Sequence, residues 1–320
     1  MKLSGWIAGA ALAVAVALPA PALAEWPDRP VRLIVPFGAG GGADTLARSV
    51  GEEMSRTLGQ QVVVENVTGA GGVIGVTALA NSDPDGYTIG VINVSTTVIA
   101  PETNPNVTYD PLQDFEYIAL LGGAPTVLAV NSETGIRTLD DLVAAARASE
   151  RPFTYGTPGA LTMSNLVPAT YFGDIGVEVE HVPYQGGAAA LMDAVAGHIS
   201  FAALTLAIAR PQIEAGTLHG VAISTGQRHP DFPDMPTFAE LGHPELTSLT
   251  WFGLAAPAGM DPEIVDRLNE EVNRALAAET IRARLEAEGF VIEEMTPAEF
   301  RAYQVTQSEI FGPIARQIGN

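Results

Sequence analysis

The residues with the most chemical promise sit in one short stretch, Val31 to Ala47, VRLIVPFGAGGGADTLA. What it offers is backbone. A β-branched and aliphatic run breaks at Pro36, opens into glycines at 38, 40, 41 and 42, and resumes with helical spacing at Leu46, Val50, Met54 and Leu58. A strand, a glycine-rich turn and a helix start gather several N–H groups on one small surface. First-turn amides have no intrahelical acceptor, and the helix dipole adds partial positive charge, so the chemistry on offer is anion binding.

Two other chemistries compete for this stretch. Gly38-Ala39-Gly40-Gly41-Gly42-Ala43 fits G-x-G-x-x-A directly after a strand, and Glu65 follows about 20 residues on, where a dinucleotide site reads a ribose hydroxyl. Against it stand an export leader without an Arg-Arg pair and the kink expected at Pro36. A hydrolase finds less support. There is no G-x-S-x-G elbow, and the histidines at 181, 198, 219, 229 and 243 show no metal-ligand spacing. The acidic pairs Asp140-Asp141 and Glu293-Glu294 fit helix caps or a solvated face.

Composition narrows the class. Residues 1–24 have the form of a secretory signal peptide: Lys2, an apolar run from Ile7 to Leu18, and Ala22-Leu23-Ala24 before Glu25. No cysteine occurs anywhere, so neither disulfides nor a lipidated N-terminus is expected. The formal charge of −21 becomes −22 once Lys2, the sole lysine, is removed. Such a surface repels nucleic acid and anionic lipid, so an anion site must act through close hydrogen bonds.

Around the first turn the chain repeats one grammar. Strands are expected at Val62–Glu65 and Thr88–Val94, the first buried and followed by Gly69 to Gly75, the second ending in Ser95-Thr96-Thr97. Pro101 to Pro111 reads as irregular, and a new strand is expected after the pair Gly122-Gly123. The pattern recurs beyond residue 150. Phe153–Tyr155 leads to Gly156-Thr157-Pro158-Gly159, Val179–Val182 leads to Gln185-Gly186-Gly187, and Ile199–Leu206 and Gly220–Ser224 read as strands. Helices are expected from Asp44 to Leu58, Thr138 to Ala148, Met163 to Phe172, Ala188 to Ala196, after Asp261-Pro262, and after the capping box Thr296-Pro297-Ala298-Glu299. Repeated β-turn-α units indicate an α/β fold of two similar lobes, with ligands beyond the carboxyl ends of the strands.

Several stretches together make the chain resemble the extracytoplasmic solute-binding proteins of tripartite tricarboxylate transporters, the TctC or Bug family. They are VPFGAGGGADTLAR (35–48), VENVTGAGGVIG (64–75), DPDGYTIG (83–90), VPYQGGAAAL (182–191), PDMPTFAELG (233–242) and WFGLAAPAG (251–259). The resemblance implies a two-lobed type II periplasmic binding protein fold with its ligand cleft between the lobes. The first lobe would span residues 25–124 and 251–320, and the second 125–250. It implies a non-catalytic periplasmic monomer without cofactor or metal, closing on a small organic carboxylate and passing it to a membrane permease. A sensory module feeding a membrane kinase is the alternative.

Carried onto this sequence, the first-lobe ligand residues would be Phe37, Gly38, Ala39, Gly40, Gly41 and Asp44, with Ser95, Thr96 and Thr97. The second lobe would offer Thr157, Gly159, Thr162 and Ser164, then Gln185, Gly186 and Thr205. Asp44 is expected chiefly to cap amides, with orienting the loop or binding a ligand amino or hydroxyl group as alternatives. Gln185 stands where the family often has a basic residue, while Leu161 and Asn165 replace a glycine and a histidine. Those departures point to a ligand smaller or less charged than a tricarboxylate.

Overall fold

The computed structural model describes residues 26–319; the leader expected over 1–24 lies outside them. Among the described residues, nine strands and ten α-helices alternate for most of the way. In order they are β1 (Val31–Val35), α1 (Gly42–Leu58), β2 (Val62–Asn66), α2 (Val73–Ala80), β3 (Thr88–Asn93), a π-helical turn Ser95–Ile99, and the single-turn α3 (Ala100–Thr103). Next come β4 (Phe115–Asn131), α4 (Leu139–Ala148), β5 (Phe153–Thr157), α5 (Met163–Asp174), β6 (Val179–Pro183), α6 (Gly187–Val195), β7 (Phe201–Thr205) and α7 (Leu206–Glu214). The chain finishes with β8 (Leu218–Ile223), β9 (Leu249–Pro257), α8 (Pro262–Ala277), α9 (Glu279–Ala287) and α10 (Pro297–Gly319).

The sheet runs β2-β1-β3-β9-β4-β7-β5-β6, with β8 also on β4. At one end β1 is parallel to β2 and β3; at the other β5 is parallel to β6 and β7. Each parallel set needs right-handed helical crossovers, which bury both of its faces. The two sets meet through long antiparallel strands. β4 pairs with β9 as far as Pro125, and from Thr126 onward it pairs with β7 and β8.

Ser224 fastens that junction. It is fully buried; its Oγ accepts from Thr126 N at 2.8 Å and donates to Ser248 O at 2.7 Å. Its backbone also bonds Thr126 O and Ser248 N. One serine thus ties the outgoing strand to the returning one. A continuous apolar core crosses the same region, taking in Ile34, Val98, Leu128, Phe172, Phe201, Trp251 and Phe300.

Several elements differ from expectation. β2 alternates exposed and half-buried residues because it is the edge strand, so it is not the buried strand expected. No break occurs at Gly122-Gly123. β4 continues through them by register shifts, with Gly122 at φ +130° and Gly123 bridged to Val291. α7 and α9 were hidden from the sequence reading, α7 because Pro211 lies inside it and α9 because it starts directly where α8 ends.

Candidate functional site

The β1–α1 junction is held open by a buried acid. Asp44 Oδ2 accepts from Gly40 N and Arg48 Nε, each at 2.9 Å, and Oδ1 accepts from Asn66 Nδ2 at 2.9 Å. Asn66 Nδ2 also donates to Phe37 O at 2.9 Å, and its Oδ1 accepts from Arg48 Nη2. Asp44 therefore orients the loop ahead of the helix; it does not cap the first-turn amides. The N-cap, Gly41, makes no side-chain cap bond, so the amides of Gly42, Ala43 and Asp44 keep no intrahelical partner. Burial raises the Asp44 pKa, but Arg48, the Gly40 amide and Asn66 outweigh it and hold the carboxyl below its ordinary range. Gly38, Ala39 and Gly40 are exposed, and Gly40 has φ +79°, where a side chain is strained.

Beside this loop lies the turn after β3. A Cβ on Gly72 would stand 2.8 Å from Thr96 Cγ2 and 3.1 Å from Phe37 Cζ, so the three first-lobe junctions form one cluster. Ser95, Thr96 and Thr97 are all buried. The two threonine hydroxyls are engaged within the protein: Thr96 Oγ1 donates toward Asn93, and Thr97 Oγ1 lies 3.0 Å from both Asn93 O and Gln304 Oε1. Ser95 makes no side-chain hydrogen bond and keeps a little solvent access. Of the three, Ser95 has the hydroxyl that is available to a ligand.

The second cluster gathers the junctions after β5, β6 and β7. Thr157 Oγ1 contacts His181 Nε2 at 2.7 Å and Gly159 O at 2.9 Å, and Thr162 Oγ1 donates to the same carbonyl at 2.9 Å. These threonines shape the loop. Ser164, nearly buried, has an unengaged hydroxyl like that of Ser95. Tyr184 N donates to Thr157 O, which brings Gln185 and Gly186 alongside; Gln185 is exposed and unpartnered. Thr205, half-buried, is the N-cap of α7 and pairs with Thr126 at the junction strand. Asn165 turns inward, accepting from Tyr155 Oη at 2.7 Å and donating to Ala160 O, so it does not stand in for a binding histidine. His181 stacks on Tyr155, and burial lowers its pKa, favouring the neutral ring.

One segment touches both clusters. A Cβ on Gly42 would lie 3.2 Å from Phe290 Cζ, while one on Gly289 would lie 3.2 Å from Ala207 N. The starts of α1 and α7 therefore flank the same two residues.

A pattern in the helix ends sets these junctions apart. α1, α2, α5, α6 and α7 each follow the carboxyl end of a strand in one of the two parallel sets, and none has a side-chain cap. The helices that follow the antiparallel strands β4 and β9 are capped, α4 by the Thr138–Asp141 box and α8 by Asp261, and so is α10, by Thr296 with Glu299. Among the described residues, the single-turn α3, which continues the turn after β3, and α9, which shares Ala278 with α8, also start uncapped. Substituting for a missing cap is what a bound anion does.

The competing chemistries fit less well. Glu65 is exposed and ion-paired to Arg32 at 2.5 Å, and Asn66 is the residue that reaches the loop. Asp174, His243 and Glu245 come together in space, a grouping invisible in their spacing. They lie at the far end of α5, about 15 Å of helix from Ser164 by the rise per residue. Sequence reading missed Asn66, Asn93, Tyr109, His181 and Gln304. The signal for Gln304 was a polar residue on the apolar face of α10, in step with Phe300 and Phe311.

The fold is that of the periplasmic binding proteins among the solved structures it resembles. Residues 46–319 match the family model TctC, described as the tripartite tricarboxylate transporter family receptor, and the chain belongs to that family. Protein BugT of Bordetella pertussis is 31% identical over 92% of this chain and 90% of its own length. Among solved structures, Rpa4515 of R. palustris with adipate is 29% identical at a TM-score of 0.86, covering 92% of this chain and 99% of that one. MatC of Rhodopseudomonas palustris with bound malate is 29% identical at a TM-score of 0.82, over 91% and 100%. The family is one of solute-binding proteins, not enzymes. Among the described residues no helix is long and apolar enough to cross a membrane.

Proposed function

We propose that this protein captures a small organic carboxylate in the periplasm and delivers it to the membrane permease of a tripartite tricarboxylate-type transporter, acting as a monomer without cofactor or catalysis. The observation that carries this reading is the set of helix starts left uncapped at the strand ends. The first lobe, residues 25–124 and 251–320, contributes the amides after Gly41 and the Ser95 hydroxyl. The second, residues 125–250, contributes the amides after Thr162, Gly186 and Thr205, with Ser164 and Gln185. Contacts to both lobes stabilise the closed state, so binding and closure are one equilibrium. Backbone amides act at contact distance, which suits a chain of net charge −21.

Adipate and malate in two relatives support a dicarboxylate-sized ligand. Gln185 adds no positive charge at the rim and Leu161 adds bulk, so citrate should bind more weakly than monocarboxylates or dicarboxylates. A thermal-shift screen with monocarboxylic, dicarboxylic, tricarboxylic and aromatic acids, acidic amino acids and NAD tests the assignment. One acid series should raise the melting temperature. A rise with NAD alone would overturn it. Delivery is tested separately, by reconstituting uptake with candidate permeases; a response only from a membrane kinase would favour the sensory role.

A further inference from the structure

The Ser95–Ile99 turn is a π-helical insertion, and such turns leave carbonyls without helical donors. Pro101, four residues after Thr97 and five after Thr96, has no N–H to give either carbonyl. Both are instead served from outside the turn. Tyr109 Oη donates to Thr96 O at 2.6 Å, and Gln304 Nε2 donates to Thr97 O at 2.9 Å. Gln304 Oε1 in turn lies 3.0 Å from the Thr97 hydroxyl, so one side-chain amide grips both polar groups of that residue. Gln304 is fully buried, on a helix some two hundred residues further along the chain.

We propose that Gln304 is a positioning residue for ligand binding, fixing the π-turn so that Ser95 is held toward the cleft. The proposal rests on the carboxylate-binding reading. Gln304 itself touches no ligand; it sets the fraction of molecules whose turn is competent to bind, and apparent affinity scales with that fraction. The geometry also fixes what may replace it. The amide must donate to a carbonyl and accept from a hydroxyl at once, which a protonated carboxyl can do and a carboxylate cannot.

The test compares wild type with Gln304→Met, Gln304→Glu and Thr97→Val, using adipate and malate as probes. Leaving a buried carbonyl unsatisfied should weaken binding by about 10-fold to 100-fold in Gln304→Met. Gln304→Glu should be as weak near pH 8 and recover toward wild type near about pH 5, as its carboxyl regains a proton. A merely structural residue would give a loss that pH does not reverse. Thr97→Val, which keeps the carbonyl contact, should lose less. Hydrogen exchange of residues 93–100 in ligand-free protein reads the turn without any ligand, and should quicken in Gln304→Met. Unchanged exchange and affinity in a folded Gln304→Met protein would overturn the proposal, as would a pH-independent loss in Gln304→Glu. Wild type binding neither acid while exchange still quickens would refute a dicarboxylate ligand of this kind and keep Gln304 as the anchor of the turn.

Discussion

Removing the Asp44 carboxylate should both destabilise the protein and loosen its first binding loop. In Asp44→Ala the Gly40 N–H and the Asn66 amide lose a charged acceptor, and Arg48 loses its partner. The acid side chain is only 5% exposed, whereas Arg48 is 51% exposed and can turn to water. The ion pair is therefore discounted and the two buried hydrogen bonds dominate. Hydrogen bonds to charged groups of this kind give a loss of about 2–4 kcal/mol, or about 3–7 °C in melting temperature for a chain of this size. The pH dependence has a definite sign. The Asp44 pKa is lowered on folding, so its contribution is complete above the ordinary carboxylate range and is lost as pH falls through the folded value. The gap between wild type and variant should stay constant near neutrality and close below about pH 4. Scanning calorimetry across that range, with a carboxylate titration alongside, reads both effects. Equal melting temperatures at neutral pH would refute the role given to Asp44.

Three further outcomes follow from the same geometry. Ser224→Ala leaves Thr126 N–H and Ser248 O unpaired in a fully buried junction, so urea unfolding should show a loss of about 2–4 kcal/mol. An unchanged midpoint would mean the strands are joined without it. Gly40→Val meets nothing within 4 Å, so its stability cost is left-handed strain of about 1–2 kcal/mol. Its affinity should fall further, because the side chain shields the loop amides; equal affinity in calorimetry would place the ligand elsewhere. Burial lowers the His181 pKa, so its neutral form favours folding, and that advantage fades as pH drops below about 6.5 through the folded value. Melting curves of His181→Gln should be flatter than wild type between about pH 8 and pH 5.

The repeated strand-turn-helix units were legible because each signal is local: VRLIV, a glycine cluster, then apolar spacing of three and four. What escaped depends on distant partners. β2 is VVVEN in composition wherever it lies, and only the pairing makes it an edge. Thr97 is engaged by a glutamine on the last helix that nothing local reveals, whereas the partner of Thr96 is Asn93, only three residues upstream. For Asp44, the capping expectation followed from its place in the first turn; the loop amide of Gly40 and the end of β2 claim it instead. The glycine turns themselves were readable as anion surfaces, since an uncapped helix start is written in the residues that precede it: Gly41, Gly72 and Gly186 carry no capping side chain at all.

Calorimetric titration with a dicarboxylic acid such as adipate, set against its dimethyl ester and its diamide, probes the helix-end account most directly. The acid should bind saturably at one site per chain, and the neutral analogues, unable to substitute for the missing caps, should not. An ester or diamide binding as tightly as the acid would contradict an amide-lined carboxylate site, and so would binding of NAD in the absence of any response to acids.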